Sequence, residues 1–447
     1  MVTILPLLLC LRSEITMTRI RQFNAIVLAL LAMTGRVTLL GISRWTPDGA
    51  SYRTVQRFFG IVLPWPQLFW HFFRVHLFDQ TDVYLLAGDE TVVTKAGKHT
   101  HGLDRFFAGL YATTVPGLAF FTLSLISTKQ RRSFPIALEQ VLRSPEERKR
   151  SSSTKTTTVP EPKRKAGRPK GSTTTNKAAA ELVPELRRIG QMITKLRTRS
   201  NQLFPLHYVL LDGHFGTSTA LRMVRECQMQ IISKLRFDSA LYLPYRGPYA
   251  GRGPRRIYGE RLDPHAPPEQ FLCQRSTDHG IQTSIYQLTL HHKSFDCPLN
   301  VVVVVKTNQQ TKRHGHVLLF SSDLTLVWDK LLDYYCLRFQ LEFNFRDAKQ
   351  YWGLEDWMNV KEVAVTNTAN VSLFMVNVAE RLVRDKRQEQ PTYSVLDLKA
   401  ECRGHRYVQE VIKLLPEKPE PILLQRILSK VAQLGCIHAP LLEPVSP

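Results

Sequence analysis

Apolar positions recur every three or four residues from Ile20 to about Phe73, which predicts amphipathic helices interrupted at Gly35, Gly41 and the Pro47-Asp48-Gly49 turn. Within this N-terminal helical domain (17–75), Ser51 is placed as an N-cap for a helix reaching Phe59. Arg53 and Arg57 lie four apart there, on a face different from Val55 and Phe59. The pattern then shortens. Val83 to Gly88 is an apolar run ending in Asp89 and Glu90, and Phe106–Thr113 and Gly117–Ser127 predict two more strands in segment 76–127. Residues 128–204 read as a basic linker followed by a helix from Lys177 to Arg199. In 205–238 an apolar strand, His207 to Leu211, ends in Asp212. A glycine turn, a helix from about Ser218 to Gln228 and a strand from Gln230 to the basic residue Arg236 follow. Residues 239–323 turn β-rich after Gly- and Pro-rich turns, with runs at Gln282–His291 and Val301–Lys306. A helix from about Leu326 to Tyr351 dominates 324–365, and 366–447 is a helical tail.

On one uninterrupted helix, Tyr335, Arg338, Glu342 and Lys349 fall within an arc of about 60°. A carboxylate ringed by cations and a phenol suits a hard metal ion held beside phosphate oxygens. Such spacing also arises in surface ion pairs of little energetic weight. The interleaved Leu337, Phe339, Leu341, Phe343 and Phe345 argue for a partly buried helix, on which an unpartnered Glu342 would be costly.

Charge sharpens this picture. The 447 residues include 60 Lys and Arg against 38 Asp and Glu, a net charge of +22, which favours a polyanionic partner, nucleic acid first. Eleven basic and three acidic residues lie between Arg143 and Lys177, a stretch too polar to fold alone. There, Gly167-Arg168-Pro169-Lys170 resembles an AT-hook, whose extended arginine enters the narrow minor groove of A·T-rich DNA. A nonspecific basic linker is the alternative. The helix at Ser51–Phe59 likewise suits either a DNA groove or an ordinary surface.

Seven scattered cysteines without a Cys-x-x-Cys pair argue for a reducing compartment and against a zinc ribbon. The histidine pairs, including His291/His292 and His314/His316, lack matching ligands at zinc-finger spacing and read as surface or loop residues. The apolar opening up to Cys10 has no basic leader or small-residue cleavage site. The chain is therefore read as cytoplasmic, with Met17 as a candidate start and no membrane span.

Asp89, Asp212 and Glu342 stand out as three acids that only a fold could gather. Carboxylates of this kind hold paired Mg²⁺ ions in phosphoryl transfer. The Tyr335-(2)-Arg338-(3)-Glu342-(6)-Lys349 spacing, with Gly88-Asp89-Glu90-Thr91 and Leu211-Asp212-Gly213-His214, resembles the DDE transposases of bacterial insertion sequences marked by that signature. The resemblance covers roughly residues 20–365. It implies an α/β, RNase H-like catalytic core with a β-rich insertion, and an N-terminal helical DNA-binding domain. It implies Asp89, Asp212 and Glu342 as catalytic ligands of two Mg²⁺ ions, with Mn²⁺ as a substitute. Tyr335, Arg338 and Lys349 are then expected on DNA phosphates, with Arg236, Arg168 and Lys170 as further DNA contacts. The implied partners are double-stranded DNA, as transposon ends and target, and a second copy in a synaptic dimer, nucleoid-associated when bound. In some relatives a tryptophan of the insertion stacks on a flipped base. Trp328 is the nearest here, only seven residues before Tyr335. The alternatives are a derivative that stops at hydrolysis and a noncatalytic DNA-binding protein.

Overall fold

A computed structural model describes residues 3–46, 50–144, 181–249, 251 and 253–438. The AT-hook-like segment, with Arg168 and Lys170, and the Pro47-Asp48-Gly49 turn lie outside the described residues.

In chain order the helices are α1 (Leu5–Leu8), α2 (Met17–Ala32), α3 (Leu39–Trp45), α4 (Tyr52–Phe59) and α5 (Trp65–His76). The strands β1 (Tyr84–Thr94), β2 (Asp104–Ala108), β3 (Thr113–Ser127) and β4 (Arg132–Gln140) come next. After the undescribed stretch come α6 (Pro184–Ser200), β5 (Tyr208–Leu210), α7 (Ser218–Glu226) and β6 (Gln230–Lys234). Then follow β7 (Leu241–Pro244), β8 (Tyr258–Arg261), β9 (Leu272–Asp278), β10 (Ile281–His292), β11 (Leu299–Asn308) and β12 (His314–Ser321). The chain finishes with α8 (Trp328–Leu337), α9 (Gln340–Gln350), α10 (Glu362–Arg387), α11 (Val395–Leu414) and α12 (Pro421–Ala432). This is the mixed α/β organisation of an RNase H-like core with helices at both ends. Among the described residues no helix is long and apolar enough to cross a membrane.

Two compact units share the chain, and β1 runs through both. The first unit takes Met1–Val83, Glu90–Glu139 and Phe339–Pro447. In it β3 lies between β2 and β1, with β4 on β3. From Gly117 to Ser127 every residue of β3 is buried, the mark of a strand covered on both faces. The helical part is knitted by aromatic rings: Phe374 of α10 packs against Phe23, Trp65, Phe69 and Phe72. Ile4, Leu8 and Leu11 are fully buried, so the stretch before Met17 belongs to this core. Ser51 caps α4 by accepting from Thr54 N, and Arg53 and Arg57 stay exposed while Val55, Phe58 and Phe59 are buried.

Two local expectations change in this unit, and one glycine proves to be fixed by a close approach. Gly41 lies inside α3, where Thr38 Oγ1 accepts from its N–H at 2.9 Å, instead of breaking a helix. The linker does not begin at Thr128, because β4 forms first and buries Ser133, Phe134, Pro135, Ile136 and Leu138. Asn377 of α10 donates to Pro135 O at 2.8 Å, giving that strand a buried partner. Finally, Gly353 adopts φ +73°, and a Cβ there would collide with the Val37 side chain.

Asp397 ties the segment just after α12 to the start of α11. Fully buried at the start of α11, it accepts from Ser394 N and Oγ, from Ile437 N, and from His438 N and Nδ1. Burial alone would raise its pKa, but the hydrogen bonds from Ser394 and His438 outweigh that and hold the carboxyl well below the usual range. The stabilisation of a depressed carboxylate is present above the unfolded value, near pH 4, and is lost as pH falls below it. Asp397→Ala is therefore expected to cost about 3 kcal/mol at pH 7 and about 1 kcal/mol less at pH 3, with the difference widening at lower pH, read as melting temperature against pH. An equal deficit at both values would place the effect in packing instead.

The second unit takes Tyr84–Asp89 and Gln140–Arg338. Its strands run β1-β5-β6-β12-β11-β10-β7-β8, with β9 on β10. β1, β5 and β6 are parallel, and the strands after them are antiparallel. The β-rich segment is thus not separate from the α/β strands. β12 pairs with β6 through Leu319↔Lys234, Phe320↔Ser233 and Ser321↔Ile232, extending one sheet. Physically, Leu318, Phe320 and the Val301–Val305 run need a partner on each side, and β6 offers an apolar edge.

Candidate active site

Parallel register builds the acidic pair. The last registered residues of β1 and β5 are Ala87↔Leu210; two residues further on lie Asp89, still within β1, and Asp212, past the end of β5. Paired strands lie about 4.8 Å apart, so the register carries the chain at both acids along neighbouring strands. Asp89 does not end its strand as expected, since β1 continues to Thr94 with Thr91 and Val93 buried. Asp212 does follow its strand. It caps a 3-10 turn, Gly213–Phe215, accepting from His214 N at 3.2 Å, while Ser233 Oγ donates to its carbonyl at 2.7 Å.

Gly216 closes that turn against β6 so tightly that a Cβ would collide with the Lys234 carbonyl oxygen. Gly216→Ala is expected to cost about 2 kcal/mol and to displace Asp212, lowering cleavage by more than it lowers DNA binding. Equal losses of both would trace the effect to unfolding.

From α8 and its C-cap come two of the four signature residues, Tyr335 and Arg338. Arg338 Nη1 donates to Asp89 Oδ2 at 2.8 Å, with the two side chains 14% and 21% exposed. Tyr335 is partly buried between charges. Burial raises its phenol pKa, Arg338 pulls it down and Asp212 pushes it up, leaving it raised. At neutral pH the phenol is therefore a protonated donor. Arg338, Tyr335, Asp89 and Asp212 thus form one cluster inside the second unit. Nearby, Tyr208 OH donates to Asp323 Oδ2 at 2.6 Å and its ring packs on Tyr334, steadying β5 against α8.

The expected helix from Leu326 to Tyr351 is two helices, α8 and α9, with a turn at Arg338 and Phe339. Both turn residues keep right-handed helical dihedrals, but the bonding tightens: Arg338 N donates to Tyr335 O and Glu342 N to Phe339 O. The single-face arc assumes unbroken 3.6-residue turns, and the tighter bonding at this junction departs from that assumption. Glu342 and Lys349 sit on α9 in the first unit. Glu342 is in the first turn, where the helix dipole favours a carboxylate, and is partly exposed. Lys349, in the last turn, donates to Val92 O at 3.0 Å and pairs with Glu355 at 3.0 Å. Asn344, between them, donates to Ser133 Oγ at 2.8 Å and fixes α9 to β4.

Arg236 is exposed after β6 and pairs with Asp238 through two hydrogen bonds of 3.0 and 3.1 Å. Trp328 begins α8, its backbone N–H donating to Gln287 Oε1 at 3.1 Å. The aspartates supply hard oxygen donors of the kind Mg²⁺ takes. Among the described residues no three His, Cys, Asp or Glu side chains are grouped to hold a metal ion.

A feature read from the sequence only as turns is a basic, aromatic surface around β7 and β8. Arg256 stacks over Tyr245 at 4.7 Å, Arg255 over Tyr249 at 5.5 Å and Lys293 over Tyr242 at 5.0 Å. Tyr245 and Arg246 line a cavity of about 830 Å³ with Phe271, Gln287 and Val327. The alternation of Tyr and Arg between Tyr245 and Tyr258 was the available signal, since interleaved basic and aromatic residues suit nucleic acid.

With a parallel-strand aspartate pair, a guanidinium on one member and a net charge of +22 in view, comparison with known families is decisive. The chain belongs to the DDE superfamily endonucleases, whose family profile matches residues 10–288. That match covers more than half of the chain, includes Asp89 and Asp212, and ends before Tyr335. Membership implies endonuclease chemistry on DNA with divalent metal ions. No curated protein matches the chain.

Proposed function

We propose that this DDE endonuclease is a DNA transposase that cuts the ends of its element and joins them to target DNA. The observation that carries the reading is the Asp89 and Asp212 pair at the parallel strands β1 and β5, with Arg338 and Tyr335 set against it. Asp89 and Asp212 would hold divalent ions, Mg²⁺ or Mn²⁺, with Glu342 as the third carboxylate on the strength of its spacing from Arg338. When bound, the ions supply activation of the attacking hydroxyl and charge neutralisation at the scissile phosphate. The protein's own groups do the rest. Arg338, now on Asp89, turns its guanidinium to a phosphate oxygen when DNA fills the site. Tyr335 donates its phenolic hydrogen to a second oxygen.

Binding is spread over basic surfaces. The exposed face of α4 with Arg53 and Arg57, the Tyr245/Arg256 surface and Arg236 suit duplex backbone, and Lys349 is assigned to phosphate near the cleaved end. Arg168 and Lys170 are assigned to the minor groove. In this reading 17–75 is a DNA-binding domain, two chains pair across the transposon ends, and the protein works in the bacterial cytoplasm, on the nucleoid. The test is incubation of the protein with labelled DNA carrying the ends that flank its gene, plus an unlabelled target circle, in Mg²⁺. Joined end–target products are expected. Cleaved ends without joining would make the protein a nuclease, and binding without cleavage a noncatalytic DNA-binding protein.

A further inference from the structure

Lys234 stands where the parallel strands of the second unit end. β6 lies between β5 and β12, so this lysine is on an interior strand and does not guard a sheet edge, the common reason for a lysine on a strand. Ile231, Ile232 and Ser233 before it and Leu235 after it are buried, while Lys234 itself is half-buried. Leu210 of β5 pairs with Ile232 of β6; two residues further on lie Asp212, past the end of β5, and Lys234, the last residue of β6. The carboxyl ends of parallel strands are where α/β sheets receive their ligands.

Packing ties both residues to one turn. Asp212 caps the Gly213–Phe215 turn, and Ser233 Oγ, next to Lys234, donates to the Asp212 carbonyl at 2.7 Å. A Cβ at Gly213 would stand 3.7 Å from Lys234 Cβ and 4.0 Å from its Cδ, so the lysine stem lies along that glycine. Nearby cations are already matched inside the protein, Arg236 by Asp238 and Arg338 by Asp89. Among the described residues the Lys234 ammonium has no hydrogen-bond or ion-pair partner.

We propose that Lys234 is a further phosphate-contacting residue of the cleavage reaction, its ammonium binding a non-bridging oxygen of a phosphate that flanks the cut. This role depends on Asp89 and Asp212 being the cutting centre. A half-buried ammonium without a protein partner gains a charge-assisted hydrogen bond when an anion arrives, and the backbone of DNA lying over Asp212 supplies one. Lys234 then positions the strand and neutralises charge beside the aspartates, with no part in proton transfer.

The test uses the full-length chain and labelled DNA carrying the ends that flank its gene. Lys234→Met keeps the stem on Gly213 and removes the charge. It should lower the cleavage rate at saturating DNA about thirtyfold, and Lys234→Arg should restore most of that rate. The slope of log affinity against log salt should fall by about 1 in Lys234→Met, the loss of one phosphate contact. When neutral methylphosphonates replace the phosphates flanking the cut one at a time, Lys234→Met and the unaltered chain should cut equally fast at one of them. A Lys234→Met that cuts within about twofold of the unaltered chain, keeps its salt slope, or keeps its full deficit on every methylphosphonate substrate would overturn the contact. Ends that the unaltered chain binds and leaves uncut would remove the cutting reading, and the salt slope would still decide the contact. Circular dichroism of each variant separates a lost contact from a lost fold.

Discussion

Replacing Asp212 or Asp89 by Asn is expected to slow DNA end cleavage about a thousandfold or more while leaving DNA affinity unchanged or slightly raised. Each substitution keeps the side chain's size and removes one formal negative charge from a pair set by the register of β1 and β5. Losing one metal-binding oxygen at a phosphoryl-transfer site removes several kcal/mol of transition-state stabilisation, and about 4 kcal/mol corresponds to a thousandfold in rate. Binding depends on Lys and Arg against phosphate and should not fall when an acid is neutralised. Asp89→Asn has a further consequence, because Arg338 loses its ionic partner. Glu342→Gln should behave like the aspartate variants. Filter binding and gel-resolved cleavage at matched protein concentration separate the two effects, and a variant that cleaves normally is not a ligand.

The second large effect concerns stability. Asn367 of α10 joins three segments of the first unit: its Nδ2 donates to Phe59 O at 2.9 Å and Ile61 O at 2.7 Å, and its Oδ1 accepts from Trp65 Nε1 at 2.8 Å. The residue is 1% exposed, so water cannot replace it. Asn367→Ala leaves an indole donor and two carbonyls poorly served and is expected to cost about 3–4 kcal/mol, from roughly 1–3 kcal/mol for each buried group left unpaired. The readout is the chemical-denaturation midpoint of the full chain. A change below about 0.5 kcal/mol would mean that aromatic packing suffices, Phe374 holding α5 while Phe58 on Phe23 and Phe59 on Trp357 hold α4.

Much of the local structure was legible because it rests on short-range rules. Ser51 followed by Thr54 marks a cap, and β10 and β11 announce themselves by alternation in Gln282–His291 and by the unbroken valines from Val301. The aspartates were legible as acids following apolar runs, because strands that deliver carboxylates need buried residues before them. What escaped depends on contacts distant in sequence. β4 hides Phe134, Ile136 and Leu138 among Arg132, Pro135 and a polar flank, and it becomes a strand because β3 and Asn377 supply its partners. The break at Arg338 and Phe339 carries no Gly or Pro signal. It coincides with the residue whose guanidinium reaches Asp89, 249 positions away.

The most direct test of the aspartate pair is to replace Mg²⁺ with Fe²⁺ and let locally generated hydroxyl radicals cut the polypeptide beside the bound ion, mapping the breaks by mass spectrometry. Breaks are expected next to Asp89 and Asp212, suppressed by excess Mg²⁺ and absent in Asp212→Ala. Breaks that avoid both residues, or that persist unchanged in Asp212→Ala, would contradict it.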